Sequence, residues 1–349
     1  MFLNENHYSW NYNTKYNIFN KLDEYKKDAI NTKYIEHSKH ISENQHDIIP
    51  IYDNNGINLS NKSIQEDIYK TFFDKIGTII IKNMYSKETM DEYNKWCEIT
   101  LDEAKKDGNC RHPKQKKKYL INDVIGRMSK SNPELLWKLI GNKSMNQVID
   151  ILLGFSKFGS CTAHWIEPEG DRQISHVDYP IHVGSGPFWE ESIEKVKNLT
   201  TEYQLNNILP YYSVQLLIAS DSMSIKNGST EIVPCSHRLP NLDILLHDKD
   251  IYHKFEKYFV NVELNQGDIL LFCRRLCHRG GKNLSLQRRN SLIIQCVWFW
   301  GIGQEIIEAD DAISQLEKVK EFTTLNNEEK EKFILRMKHP YPSDIKKKT

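Results

Sequence analysis

The sequence has no run of about 18 apolar residues, so no segment can cross a bilayer as a helix. Its first residues, MFLNENHYSWNYN, hold none of the apolar core of a secretory signal. Cysteine is sparse, with seven scattered through 349 residues, an odd number. That usage argues against a disulfide framework and for a reducing, cytoplasmic setting. An excess of charge of one sign is also missing. Lys plus Arg and Asp plus Glu come to 47 each, a formal net charge of zero. There is then no global electrostatic pull toward nucleic acid or an anionic membrane, and neither is expected as a partner. No internal repeat and no low-complexity linker interrupts the chain, and nothing in it signals an oligomeric state.

What is present is ordinary globular material. With 39% hydrophobic and 27% charged residues, wholesale disorder is excluded. The length suits one large domain with appendages. Residues 1–63 are polar and aperiodic and read as an extension packed on a core, with one edge strand around Ile48–Ile51. From Ile64, apolar residues Ile68, Phe72 and Phe73 recur at helical spacing. Gly77 stops that helix, and Thr78-Ile79-Ile80-Ile81 reads as a buried strand. Ser86 can cap a helix carrying Met90, Tyr93 and Trp96 on one face. A basic loop runs from Arg111 to Lys118. Residues 133–153 read as helical, with Leu135, Leu136, Leu139 and Ile140 on one face. From 160 to 300 short strands take over, at 160–167, 174–178, 212–219, 229–234, 268–273 and 290–300. Turn residues such as Asn227-Gly228 and Gln266-Gly267-Asp268 separate them. Many short strands around one core predict a jelly roll. After Gly303 the chain is helical and charged. The predicted division is therefore 1–63, a core domain 64–303 with its barrel at about 160–300, and a helical extension 304–349.

Chemistry enters at His176-Val177-Asp178. Side chains at i and i+2 share one face of a strand, so His176 and Asp178 can offer a nitrogen and an oxygen to one metal ion. His278 follows the turn and apolar strand Gly267–Phe272 and can supply a third ligand. Two His and one carboxylate leave coordination positions open, the arrangement of non-haem Fe(II) oxygenases, whose open positions take a 2-oxo acid and then O2. A structural zinc site would instead fill four positions, usually with Cys. Arg289, 11 residues after His278 at the start of an apolar strand, can grip the distal carboxylate of such a co-substrate. Arg288 should point to the opposite face and is the fallback.

In this order of elements the region from about Phe72 to Trp298 resembles the phytanoyl-CoA dioxygenase family of 2-oxoglutarate oxygenases. Phe73–Ile81 is similar to that family's helix-to-strand entry, Asn227–Arg238 to its NGPLxxxPGSH segment, and Gly267–Arg289 to its distal histidine and arginine block. The resemblance implies an α+β fold with a double-stranded β-helix core of the jelly-roll or cupin kind and flanking helices. It also implies Fe(II) held by His176, Asp178 and His278, and 2-oxoglutarate anchored by Arg289. The expected activity is the O2-dependent oxidation of a small-molecule substrate, with succinate and CO2 as co-products. Hydroxylation leads, and desaturation or cyclisation are alternatives. Related halogenases replace the carboxylate by a small residue, so Asp178 favours oxygen insertion. Two positions depart from the pattern. Val177 stands where the family often has Gln, and Gly280 stands where it often has a serine hydroxyl near the co-substrate.

Other readings compete at several residues. His237, in the Pro-Cys-Ser-His-Arg loop, is assigned a structural role. Cys273 and Cys277 have no second cysteine pair and read as small buried hydrophobes. The basic residues Arg111, Lys114, Lys116, Lys117 and Lys118 read as a solvated loop. Trp165, Tyr179, Tyr212, Gln215, Trp298 and Trp300 fall on predicted barrel strands, where some should line the pocket. The long insert 180–210, with Gly184-Ser185-Gly186 and Phe188-Trp189, reads as a lid over the site. The competing functional reading is a non-catalytic jelly-roll binding module that retains a metal site.

Overall fold

The β-branched run after Gly77 sets the first long-range pairing. In the computed structural model, which describes residues 12–31, 49–106, 116–178, 213–239, 249–298 and 309–338, Gly77 is left-handed (φ 86°) and ends one helical element. That element is α2 (Lys62–Lys70) running on into a π turn, Thr71–Ile76, and the strand after it is β2 (Thr78–Lys82). An α1 helix (Tyr12–Asn31) and a short β1 (Ile51–Asp53) precede them. Next come α3 (Lys87–Lys106), β3 (Lys118–Ile121), α4 (Val124–Ser131), α5 (Pro133–Ile140), α6 (Lys143–Leu153) and β4 (Ser156–Ile166). The remaining strands are β5 (Ser213–Ile218), β6 (Thr230–Ile232), β7 (Val260–Asn261), β8 (Ile269–Cys273), β9 (His278–Gly280) and β10 (Arg289–Trp298).

These strands form two sheets among the described residues. The larger has seven strands in the order β1-β2-β8-β5-β10-β4-β3, and the smaller has three, in the order β7-β6-β9. Every pairing is antiparallel except β1 with β2. The class is mixed α+β.

The large sheet has two unlike faces. One carries Ile79, Ile81, Cys161, Ala163, Leu216, Ile218, Leu271, Leu292 and Ile294 into a single apolar cluster with helices α3, α5 and α6. Part of the other face, through Ile80, Leu217, Leu270 and Phe272, packs against Ile232, Val260, Val262 and Leu264 from the side of the small sheet. Where both faces are covered, as in Ile79–Ile81 and Ile269–Phe272, successive residues are apolar. The remainder of this second face is polar and open to a cavity.

Three departures from the sequence reading have local causes. Residues 133–153 form two helices, since Gly141 ends α5 and the Asn142 side chain accepts from the Met145 N–H to begin α6. The predicted strand 174–178 is reduced to a single bridge at His176. Tyr12–Asn31, read as aperiodic, is a helix whose Leu22 and Ala29 bury against Ile76, Val233 and Cys235. Phe19 and Tyr25 pack on the same cluster, and the helix escaped the pattern because these apolar residues are set among many polar and charged ones.

The edge strand expected around Ile48–Ile51 begins at Ile51, where β1 extends the large sheet beside β2. C-terminal helices Ala309–Leu316, Lys320–Thr323 and Asn327–Met337 bring Phe322 and Phe333 onto Trp137, at ring distances of 5.3 and 5.0 Å. No described helix is long and apolar enough to cross a membrane. The insert 180–210, with Tyr179, Tyr212 and Trp300, lies outside the described residues.

Candidate metal centre and co-substrate pocket

His176 and His278 are brought together by the backbone itself. They form an isolated antiparallel bridge in which each N–H donates to the other's carbonyl at 3.0 Å. Directly opposed residues of an antiparallel pair carry their side chains on one face, and the two rings lie 4.4 Å apart. Alternation puts Asp178 on the same face, and its N–H donates to the Arg274 carbonyl at 2.9 Å. The result is one cluster, His176, Asp178 and His278, whose candidate ligand atoms all lie within 4.8 Å of one another.

The hydrogen bonds orient the histidines. His176 Nδ1 meets the Ile174 carbonyl at 2.8 Å and His278 Nδ1 meets that of Leu276 at 2.9 Å. A carbonyl only accepts, so each Nδ1 carries the proton and each Nε2 presents a lone pair. Both lone pairs face the Asp178 carboxylate, at 3.6 Å for His176 and 3.5 Å for His278. Burial lowers the His278 pKa to about 4, so the ring is neutral near pH 7. Burial alone would raise Asp178, yet His278, His176, Arg274 and Lys118 around it hold the carboxyl below its ordinary value. Asp178 Oδ2 is buried with no hydrogen-bond partner among the described residues. An ionised oxygen left unpaired in the interior is costly unless a cation completes it. Two imidazole nitrogens, one carboxylate oxygen and no thiolate fit Fe(II).

A cavity of about 380 Å³ opens from this cluster across the polar part of the large sheet. Alternate residues line it: Ser160, Thr162 and His164 from β4, Gln215 and Leu217 from β5, and Arg289, Ser291 and Ile293 from β10. Gln215 thus faces the cavity, whereas Trp165 lies in the helix-covered cluster. Arg289 is buried, and burial pulls its pKa down to about 10. Among the described residues its Nη1 reaches the Met223 sulfur at 3.2 Å, and its Nε has no hydrogen-bond partner. Arg288 points away, ion-paired with Glu98 and stacked 4.4 Å over Trp165.

Lys118 is the residue that sequence reading missed. Grouped with a solvated basic run, it is in fact buried on β3 and faces the cavity. Lys118 and Arg289 both register with Ile166 of β4, so the two cations flank one strand at the same level. Burial, aided by Arg289 and opposed by Asp178, lowers the Lys118 pKa to about 7. No carboxylate among the described residues hydrogen-bonds either group, so this end of the cavity suits an anion. Strand alternation at Lys118, Leu120 and Asn122 was the available signal, since all three line the cavity.

The remaining candidates have structural surroundings. His237 is buried, bonds the Phe73 carbonyl through Nε2 at 2.8 Å, and packs against Gly77. A Cβ at Gly77 would come within 2.4 Å of the His237 ring. Cys273 and Cys277 are buried and form no disulfide with each other, with thiols pushed up by burial, to about 11 for Cys273. Lys116 and Lys117 are exposed, and Lys117 pairs with Glu169.

The donor set and the anion end define a class, the 2-oxoglutarate-dependent oxygenases with iron and 2-oxoglutarate as cofactors. The model of the phytanoyl-CoA dioxygenase (PhyH) family matches residues 200–291. That stretch holds His278 and Arg289 but begins after Asp178, and it is narrower than the resemblance seen from 72 to 298. No curated protein matches the chain. Among solved structures, the non-haem α-ketoglutarate-dependent carbocyclase SnoK from nogalamycin biosynthesis has 18% identity and a TM-score of 0.49, covering 68% of this chain and 84% of that one. The epimerase SnoN, in complex with Fe3+, α-ketoglutarate and nogalamycin RO, has 13% identity and a TM-score of 0.48, covering 69% and 86%. HygX from Streptomyces hygroscopicus, with nickel, 2-oxoglutarate and hygromycin B bound, has 12% identity and a TM-score of 0.48, covering 68% and 89%.

Proposed function

We propose that the chain oxidises a small organic metabolite, by hydroxylation in the first instance, with Fe(II) held by His176, Asp178 and His278. The observation that carries this reading is the convergence of two Nε2 lone pairs and one unpartnered buried carboxylate oxygen on a single point. In this reading the two sheets are the walls of a double-stranded β-helix. The chemistry belongs to residues 64–303, with 1–63 and 304–349 as extensions packed on that core. Buried free cysteines with raised thiol pKa values fit the expected cytoplasmic setting.

A bound ferrous ion would activate O2, the oxidant, and the 2-oxo acid would supply two electrons on its conversion to succinate and CO2. The protein's own part is positional. Arg289 anchors the distal carboxylate of 2-oxoglutarate, and Lys118 beside it adds a second positive charge from a buried amine. The Ile174 and Leu276 carbonyls fix both imidazole tautomers, so no proton competes for the ligand lone pairs. Thr162, His164, Ser160 and Ile293 are the wall against which the substrate C–H bond is placed.

Fe(II)-dependent succinate formation from 2-oxoglutarate, stimulated by a substrate found by screening metabolite pools, is the expected outcome, and His176→Ala should abolish it. Undiminished turnover in that variant would overturn the metal assignment. Metal bound without any 2-oxoglutarate consumption would point to a binding module instead.

A further inference from the structure

Lys118 is placed as a nucleophile rather than as a surface charge. It is 4% exposed and is the one lysine among the described residues that line the cavity. The other ionisable groups on that wall are Arg289, His164, His176, His278 and Asp178. Asp178 is the single carboxylate there and belongs to the metal cluster. No described side chain hydrogen-bonds the Lys118 amine, and burial brings its pKa down to about 7. A primary amine that keeps its lone pair near neutral pH is a nucleophile. Arg289 reaches the same end of the cavity from the other side of β4, itself buried. Two buried cations that share one space with no anion between them are unfavourable. Lys157 supplies the contrast: it too is 4% exposed, on β4, yet it does not line the cavity.

We infer that Lys118 is a carbamylation site, where CO2 adds to the amine and the new carboxylate pairs with Arg289; for its source of CO2 this rests on the oxygenase reading above. The Nζ lone pair attacks the carbon of CO2 and an N–C bond forms. One C=O π pair moves onto oxygen, and the nitrogen gives up one proton to solvent. Nothing is oxidised or reduced. The carbamate replaces a buried base beside a buried cation by an ion pair with hydrogen bonds to the guanidinium. Conversion of 2-oxoglutarate to succinate releases CO2 into this same cavity. The carbamate then takes the place against Arg289 that the distal carboxylate of 2-oxoglutarate needs. CO2 and 2-oxoglutarate therefore exclude each other, and accumulated CO2 slows the enzyme through a reversible modification.

The test uses the full chain loaded with Zn(II), which is diamagnetic and does not turn over, in carbon-13-labelled bicarbonate at neutral pH. A carbamate resonance distinct from bicarbonate and CO2 is expected. Trapping with an alkylating oxonium salt, followed by peptide mass spectrometry, should place the added mass on Lys118. Lys118→Arg keeps a cation without a nucleophilic amine and should lose the resonance, whereas Lys157→Arg should keep it. Where about two-thirds of Lys118 is carbamylated, the apparent Kd of 2-oxoglutarate by calorimetry should rise about threefold. No carbamate resonance in the wild type would overturn the inference, as would a trapped adduct on another lysine and not on Lys118. A resonance that survives in Lys118→Arg would do the same. Binding of 2-oxoglutarate without carbamate formation sinks this inference and leaves the proposed function standing; carbamate formation without 2-oxoglutarate binding does the reverse.

Discussion

The two faces of the large sheet are built from the same strands and behave as opposites. On the helix side, Leu271, Leu292, Ile294 and Leu216 are buried among helices α3, α5 and α6 with nothing polar to satisfy. On the cavity side, the alternate residues include Arg289, Lys118 and Gln215, and buried polar atoms such as Arg289 Nε and Gln215 Oε1 lack hydrogen-bond partners. The first face gains free energy from water exclusion and close packing. The second gives some of it up. Asp178 Oδ2, Gln215 Oε1 and Arg289 Nε bring three unmet polar atoms to one cavity, which suits it to receive a ligand.

That contrast can be broken from either side. The largest effect belongs to the helix face: Leu271→Ala should cost about 2–5 kcal/mol of unfolding free energy, through lost apolar contact and a cavity. Denaturant melts would measure it, and 2-oxoglutarate affinity below the transition should not change. A loss of less than 1 kcal/mol would mean that this face is not the packed core described here. The cavity face should respond the other way round. Lys118→Met should weaken 2-oxoglutarate binding by about tenfold, the scale of one charge-assisted contact, while leaving the melting midpoint unchanged or higher because a buried charge has gone. Calorimetry and thermal melts on the same samples separate the two outcomes.

The last effect, a slope and not a step, is a pH dependence at His237, which lies on neither face. Burial lowers its pKa from an ordinary 6.5 to about 3. The unfolded chain therefore takes up a proton there that the folded chain refuses. The contribution is complete above pH 6.5 and is lost as pH falls from 6.5 toward 3, by up to about 1.4 kcal/mol per pH unit. His237→Gln should flatten the acid side of the stability profile within that window. A variant whose profile keeps the wild-type slope would assign the acid sensitivity to other groups.

Much of the strand order could be read in advance because its signals are local. Thr78–Ile81 is β-branched, and Gly267 before β8 is left-handed (φ 91°), where a Cβ would come within 2.2 Å of the Tyr85 carbonyl oxygen. What could not be read depended on partners distant in the chain. Lys118 follows other basic residues, and the short alternation from Lys118 to Asn122 is too brief to set it apart from Lys116 and Lys117; pairing of β3 with β4 buries it.

From the sequence alone follow the balanced charge, the His-x-Asp spacing that places two candidate ligands on one face, the distal histidine and arginine, and the turns between strands. These are properties of neighbouring residues, set by backbone alternation and side-chain chemistry. Only the tertiary structure decided that His278 lies opposite His176 and that Lys118 joins Arg289 at one end of the cavity. Each of these is a meeting of segments far apart in the chain, fixed by sheet register and close packing.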